Sequence, residues 1–172
     1  MQFPKLFVAV LAVAGMVGPS FAGDSPSLKV EQTTFEVGID QTRTLDQLIA
    51  VGKYDWVSPD LTKYFTIAPG ADYIVTLLTL LNFNQEMTSE QVLVEMDRLG
   101  LRPATLQELL SLGAQRPELQ KEFPVIALGT VVRVSGDRRV AFLYRGDRER
   151  YLYLFWFAGQ WCEYCRFAAV RK

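Results

Sequence analysis

Apolar positions along the chain recur with helical or strand spacing. The two rhythms divide it into a mixed first half and a strand-rich end. Residues 28–37 carry the β-formers Val30, Thr33, Thr34, Phe35 and Val37 and predict a first strand. Thr44 with Gln47 three positions on has the form of a capping box, and Leu45, Leu48 and Ile49 make a helical stripe that Gly52 ends. Ser58-Pro59 reads as the cap and first position of a short helix closing near Tyr64. Residues 72–83 are the most hydrophobic stretch of the domain and predict a central strand buried on both faces. Thr88 or Ser89, with Gln91 in reach, caps a helix whose inner side is Val92, Leu93, Met96 and Leu99, with Gly100 as its stop. Thr105 and Glu108 open another, with Leu106, Leu109 and Leu110 inward, and residues 117–121 add one more turn.

From Val125 onward the spacing changes. Residues 125–134, 139–145, 150–158 and 166–171 predict four strands, joined at Ser135-Gly136-Asp137, Gly146-Asp147 and Gly159-Gln160 by hairpin-type turns. The expectation is a single α+β domain: two N-terminal strands with helices, then a C-terminal antiparallel four-strand meander.

The first residues follow a different logic. Lys5 and the α-amine precede an uncharged apolar run over 6–18, Pro19 breaks it, and Ser20-Phe21-Ala22 supplies small residues at the −3 and −1 positions. That is the pattern of a secretory signal peptide at 1–22, cleaved after Ala22, which leaves 23–172 as a secreted or periplasmic domain. The run is shorter than the ~20 residues a membrane-spanning helix needs.

Charge sharpens the picture of the domain itself. Between 23 and 132 there are 15 acidic and 8 basic residues, whereas 133–172 holds 4 acidic and 9 basic ones. The net charge of −1 gives no reason to expect nucleic acid as a partner. There is no histidine, which removes histidine-activated nucleophiles, histidine bases and histidine metal sites. The two cysteines are too few for a closed thiolate zinc site, which takes about four ligands. No phosphate-binding glycine loop or dinucleotide fingerprint occurs. The expectation is therefore no cofactor and no metal. Paired carboxylates suited to acid/base catalysis do not stand out; Glu86/Glu90 and Glu95/Asp97 read as solvated helix charges.

The cysteines lie in Phe155-Trp-Phe-Ala-Gly-Gln-Trp-Cys-Glu-Tyr-Cys165. This resembles the strand and Trp-Cys-x-x-Cys active site of thioredoxin-like oxidoreductases, which implies Cys162 and Cys165 as a redox pair. In that fold the motif opens a helix and further strands follow; here seven residues remain, and they read as a strand. A local disulfide between Cys162 and Cys165, or two unremarkable thiols, is the preferred expectation, and an envelope thiol-disulfide oxidoreductase the alternative.

Three further segments carry a resemblance: Leu99-Gly-Leu-Arg-Pro-Ala-Thr-Leu-Gln-Glu-Leu-Leu110, Phe123-Pro-Val-Ile-Ala-Leu-Gly129 and Arg166-Phe-Ala-Ala-Val-Arg-Lys172. Together they resemble a family of small uncharacterised proteins from uncultured bacterial lineages, over about Thr44 to the C-terminus. The resemblance implies one domain and brings no activity. Arg102-Pro-Ala-Thr105 before a helix, a later tryptophan-rich strand and the final Arg-x-x-x-Val-Arg are similar to the plan of C-type-lectin-like and formylglycine-generating-enzyme-like domains.

Ten of the 21 aromatic residues fall between Phe142 and Phe167. Period-2 alternation sets Leu152, Leu154 and Trp156 on one face and Tyr151, Tyr153, Phe155 and Phe157 on the other. The plainer reading is core on both faces of a covered meander. The functional one is a binding surface made of Trp161, Tyr164, Arg148 and Arg150, where rings and guanidinium forks meet an envelope glycan, an anionic polymer or a protein partner. Trp161 follows a Gly-Gln turn, so it is expected to be more exposed than Trp156. The functional expectation is an exported binding or interaction module.

Overall fold

A computed structural model describes residues 28–172, and the expected signal peptide lies outside the described residues. The fold is α+β. Its elements run β1 (Glu31–Asp40), α1 (Leu45–Gly52), β2 (Trp56–Val57), α2 (Pro59–Tyr64), β3 (Tyr73–Asn82), β4 (Met87–Thr88), α3 (Ser89–Arg98), β5 (Leu101–Pro103), α4 (Leu106–Gln115), α5 (Leu119–Glu122), β6 (Val125–Val134), β7 (Asp137–Gly146), β8 (Glu149–Trp156), β9 (Gln160–Trp161) and β10 (Arg166–Arg171). None of the described helices is long and apolar enough to cross a membrane.

Local signals set the helices. Thr44, Thr88 and Thr105 each close a complete capping box with Gln47, Gln91 and Glu108, satisfying amide groups that a helix start otherwise leaves open. Gly100 follows α3 at φ +70°, a conformation that glycine adopts without strain.

One mixed sheet runs β1-β3-β10-β6-β7-β8-β2, with β5 also paired to β10, and a separate two-stranded ribbon joins β4 to β9. The meander therefore has three strands, β6-β7-β8, rather than the four expected. β10 leaves it and inserts between β3, to which it is antiparallel, and β6, to which it is parallel. The reason lies in its composition. Phe167, Ala168, Ala169 and Val170 are all apolar and all buried, so the strand has no polar side to turn to water and is stable only at the centre of a sheet covered on both faces. β3 departs from expectation in the other direction. Leu78 to Asn82 are buried, but Tyr73, Ile74, Val75 and Leu77 are exposed, because β10 pairs with β3 only from Leu78 to Leu81.

The two sheet faces carry different cores. On one, α1, α2 and α4 pack Leu45, Leu48, Leu61, Leu106, Leu109 and Leu110 onto Leu78, Leu80, Val125, Leu143 and Leu152. Each such side chain contributes on the order of 1.5–3 kcal/mol by leaving water. On the other, α3 supplies Val92 and Met96, and the β4–β9 ribbon supplies Met87 and Trp161, against Leu81, Ile126, Leu128, Val140 and Phe167. The register of β6 shifts between Ile126 and Val131, and Gly129 lies in that bulge. Its N–H donates to the Ala104 carbonyl at 2.9 Å, and a Cβ there would stand 2.5 Å from the same oxygen. Only glycine admits this approach of α4's leading segment to the sheet.

Candidate functional site

The second face is covered over β3, β10 and β6 but left open over β7, β8 and β2. Alternation along β7 and β8 places Phe142 and Tyr144 opposite Tyr153 and Tyr151, with Phe155 one step further. Trp56 on β2 pairs with Tyr151 and extends the same face to the sheet edge. The rings order one another. Trp56 stacks on Tyr153 with centroids 5.1 Å apart, and Tyr144 stacks on Tyr151 at 6.0 Å. Phe142 meets Tyr153 and Phe155 edge to face, at 5.9 Å each. Offset and edge-on contacts of this kind are the preferred geometries of aromatic pairs and contribute about 0.5–1.5 kcal/mol each.

Trp161 closes the inner end against Phe155, 5.1 Å away. With Pro124, Gln160, Cys162 and Cys165 these rings bound a groove of about 580 Å³. Among the described residues, seven that line it are aromatic and none is Lys, Arg, Asp or Glu. Its ends adjoin carboxylates. The Tyr151 hydroxyl donates to Glu149 Oε2 at 2.6 Å, and Gln160 Nε2 donates to Glu86 Oε2 at 2.9 Å. The bond to Glu149 raises the Tyr151 pKa above its ordinary value, so the phenol remains a donor.

The residues singled out from sequence do not assemble as one surface. Trp161 is 4% exposed and Trp156 46%, the reverse of expectation. Trp161 belongs to the groove wall, with its indole N–H given to the buried Ser89 hydroxyl. Arg150 is buried, and its guanidinium is held by the carbonyls of Gly52 and Gly113 and by the Gln120 side chain. It is a structural residue. Arg148 is exposed in the β7–β8 turn, and Tyr164 is exposed at the tip of the cysteine loop; neither lines the groove.

Other arginines of this segment are engaged locally. Arg138 pairs with Glu90, Arg139 lies over the Trp156 ring at 3.8 Å, and Arg166 lies over Phe123 at 4.8 Å. Much of the basic excess of the C-terminal segment thus serves the fold.

Cys162 and Cys165 form a disulfide whose two residues line the groove. Their loop leads from β9 to β10 and does not open a helix, so the helix dipole that lowers a thiol pKa in redox motifs is absent from it. Asn82 fixes the loop from beneath, donating through Nδ2 to the carbonyls of Glu163 at 2.6 Å and Cys165 at 3.0 Å. Among the described residues no three His, Cys, Asp or Glu side chains converge as a metal site would require.

Trp56, Phe142 and Tyr144 are the groove residues that sequence reasoning passed over. Alternation in 139–145 puts Phe142 and Tyr144 on one face and could have found them. Trp56 carries no local signal, since its two-residue strand is defined only by pairing with Tyr151. Comparison with known proteins adds no relative: no family model, curated protein or solved structure matches the chain.

Proposed function

We propose that this protein is an exported binding module whose ligand seats in the aromatic groove over β7, β8 and β2. One observation carries the reading: a contiguous open groove lined by seven aromatic residues on a sheet whose opposite face is closed by helices. Natural ligand sites are concave, mostly apolar and built on rigid elements, and this groove has each property. Export is supported by the N-terminal pattern and by a disulfide, which persists in oxidising compartments. Of an envelope glycan, an anionic polymer and a protein partner, the anionic polymer fits least, because the groove lining offers no cation among the described residues.

The test is fragment binding followed by two-dimensional NMR, together with mass spectrometry of the mature N-terminus. Aromatic and cyclic fragments are expected to shift signals of Trp56, Tyr153 and Phe155, and the mature chain to begin at Gly23. Shifts confined to other surfaces, or a protein retained in the cytoplasm with Met1 intact, overturn the reading. A thiol oxidoreductase is the second reading, favoured by one observation: the disulfide lines the same groove.

A further inference from the structure

We infer that the groove's ligand is a small soluble quaternary ammonium compound, recognised through its cationic head. The inference rests on the groove being the binding site and adds the chemistry of what it holds. Three features of the groove select this class.

First, the lining is aromatic beyond what apolar burial alone requires. Trp56, Tyr153, Tyr144 and Tyr151 come to the groove as stacked pairs, and each is at least partly open to solvent. Aromatic faces carry partial negative charge and attract weakly hydrated cations, to which they offer about 0.5–2 kcal/mol each. Secondly, the charges bonded to lining side chains are both negative. No Lys or Arg lines it, whereas Glu149 and Glu86 are hydrogen-bonded to the lining residues Tyr151 and Gln160. A cation entering here meets carboxylates at both ends and no repulsion from the lining.

Thirdly, the polar side chains of the lining are few and all neutral. A sugar presents a dense ring of hydroxyls, whereas the lining offers one amide, Gln160, already given to Glu86, the Trp56 indole and three tyrosine hydroxyls, of which that of Tyr151 is given to Glu149. A phosphate or carboxylate on the ligand would find no lining cation to pair with. A primary ammonium would exchange its strong hydration for a lining whose acceptors are all neutral, the tyrosine hydroxyls and the Gln160 amide. A trimethylammonium head has no N–H to satisfy, spreads its charge over methyl groups and packs against rings. The groove, at about 580 Å³, holds that head and leaves room for an uncharged substituent.

The experiment titrates the full exported domain with choline and with its neutral tert-butyl isostere, read by tryptophan fluorescence and calorimetry. Phosphocholine and phosphatidylcholine vesicles form further arms. Choline is expected to bind about tenfold tighter than the isostere, which is the worth of cation–aromatic attraction at a partly desolvated site. Phosphocholine is expected to bind more weakly than choline, and the vesicles not at all.

Trp56→Leu keeps an apolar side chain and removes the indole face. It is expected to abolish the preference for choline, and its melting curve checks that the fold survives. Tyr153→Leu serves as the second variant should Trp56→Leu unfold. Glu149→Gln is expected to weaken choline severalfold and leave the isostere unchanged. Equal binding of choline and isostere overturns the cationic head while the groove remains a binding site. Tighter binding of phosphocholine or of vesicles overturns the choice of a small ligand without an anionic group. If neither probe binds while aromatic fragments still perturb Trp56 and Tyr153, the inference fails alone. If nothing binds the groove, both readings fall.

Discussion

Trp161 donates its indole N–H to the Ser89 hydroxyl across 2.8 Å, and both residues are buried. Ser89 is the first residue of α3, so this bond ties the β4–β9 ribbon to the helix beside it. The Trp161 ring also packs on Phe142, Phe155 and Phe167. Trp161→Ala is expected to cost about 3–5 kcal/mol, the usual toll of emptying a buried aromatic site. Trp161→Phe should cost about 1–2 kcal/mol, chiefly through the partner left to Ser89. Trp156→Ala, which loses an exposed ring and its stack with Arg139, should cost about 1 kcal/mol or less. Urea denaturation of the three variants checks the order.

Arg150 draws two helices onto the sheet. Its Nη1 donates to the Gly52 carbonyl at 2.6 Å and its Nη2 to the Gly113 carbonyl at 2.7 Å. Those carbonyls lie in the last turns of α1 and α4, where the helix dipoles concentrate negative charge. The Gln120 side chain accepts from Nε and Nη2, and the Asp55 carboxylate accepts the Arg150 backbone N–H. Arg150→Met should cost about 3–5 kcal/mol, since it strands several buried acceptors. Arg150→Lys keeps the charge but lacks the planar fork, and should still cost about 2 kcal/mol. Arg148→Ala, two residues away and exposed, should fall within about 0.5 kcal/mol of wild type. Denaturation midpoints for the set decide whether Arg150 is structural.

These two residues show where the sequence was legible and where it was not. Helix starts are local: Thr88 with Gln91 and Thr105 with Glu108 lie three residues apart, and their geometry follows from spacing alone. Strand alternation is local too, which is why Tyr151, Tyr153 and Phe155 were found on one face. Partners distant in sequence were the difficulty. The burial of Arg150 depends on acceptors 37 and 98 residues away, so a charged residue at a strand start read as surface. Trp161 read as exposed because it follows a turn, while the hydroxyl that buries it lies 72 residues upstream. Chain order favours β10 beside β8, but its all-apolar interior requires a central position in the sheet.

Tyr54 offers a test whose sign is unusual. Its hydroxyl is buried with no hydrogen-bond partner among the described residues, while its ring faces the Arg150 guanidinium at 5.0 Å. Burial pushes the phenol pKa far above its ordinary value of 10.0, and the nearby Arg150 charge only partly opposes this. The folded pKa is raised, so the unfolded chain loses this proton first. The associated stability is complete below the ordinary value and is lost as pH climbs toward the folded one. Tyr54→Phe removes a desolvated hydroxyl and keeps the ring, so stability at neutral pH should rise by about 1 kcal/mol. The same variant should lose less stability than wild type on going above pH ~10. Urea midpoints at neutral and alkaline pH check both; a loss of stability at neutral pH would show that the hydroxyl has a partner.

The cysteine loop is held twice, by its disulfide and by Asn82, and the two contributions can be ranked. A bridge between residues three apart closes so small a loop that the chain-entropy relation assigns it about 2 kcal/mol or less. Asn82 is buried and serves two carbonyls, Glu163 and Cys165, of which the buried one, Cys165, costs about 1–3 kcal/mol if left unpaired, on top of the side chain's lost packing. Replacing both cysteines by serine should therefore destabilise the protein less than Asn82→Ala does, as thermal melts of the two variants would show. Reduction should also leave the loop seated, with tryptophan fluorescence close to that of the oxidised protein. The same rigidity bears on redox chemistry. A catalytic pair must open, expose a thiolate and close again, but Cys165 is 3% exposed, its carbonyl is gripped by Asn82, and no helix N-terminus stabilises a thiolate at Cys162. Insulin reduction should proceed no faster with the protein than with dithiothreitol alone, and Cys162→Ser should change nothing. Turnover by wild type that disappears in Cys162→Ser would instead establish the oxidoreductase and make the aromatic groove the seat of its protein substrate.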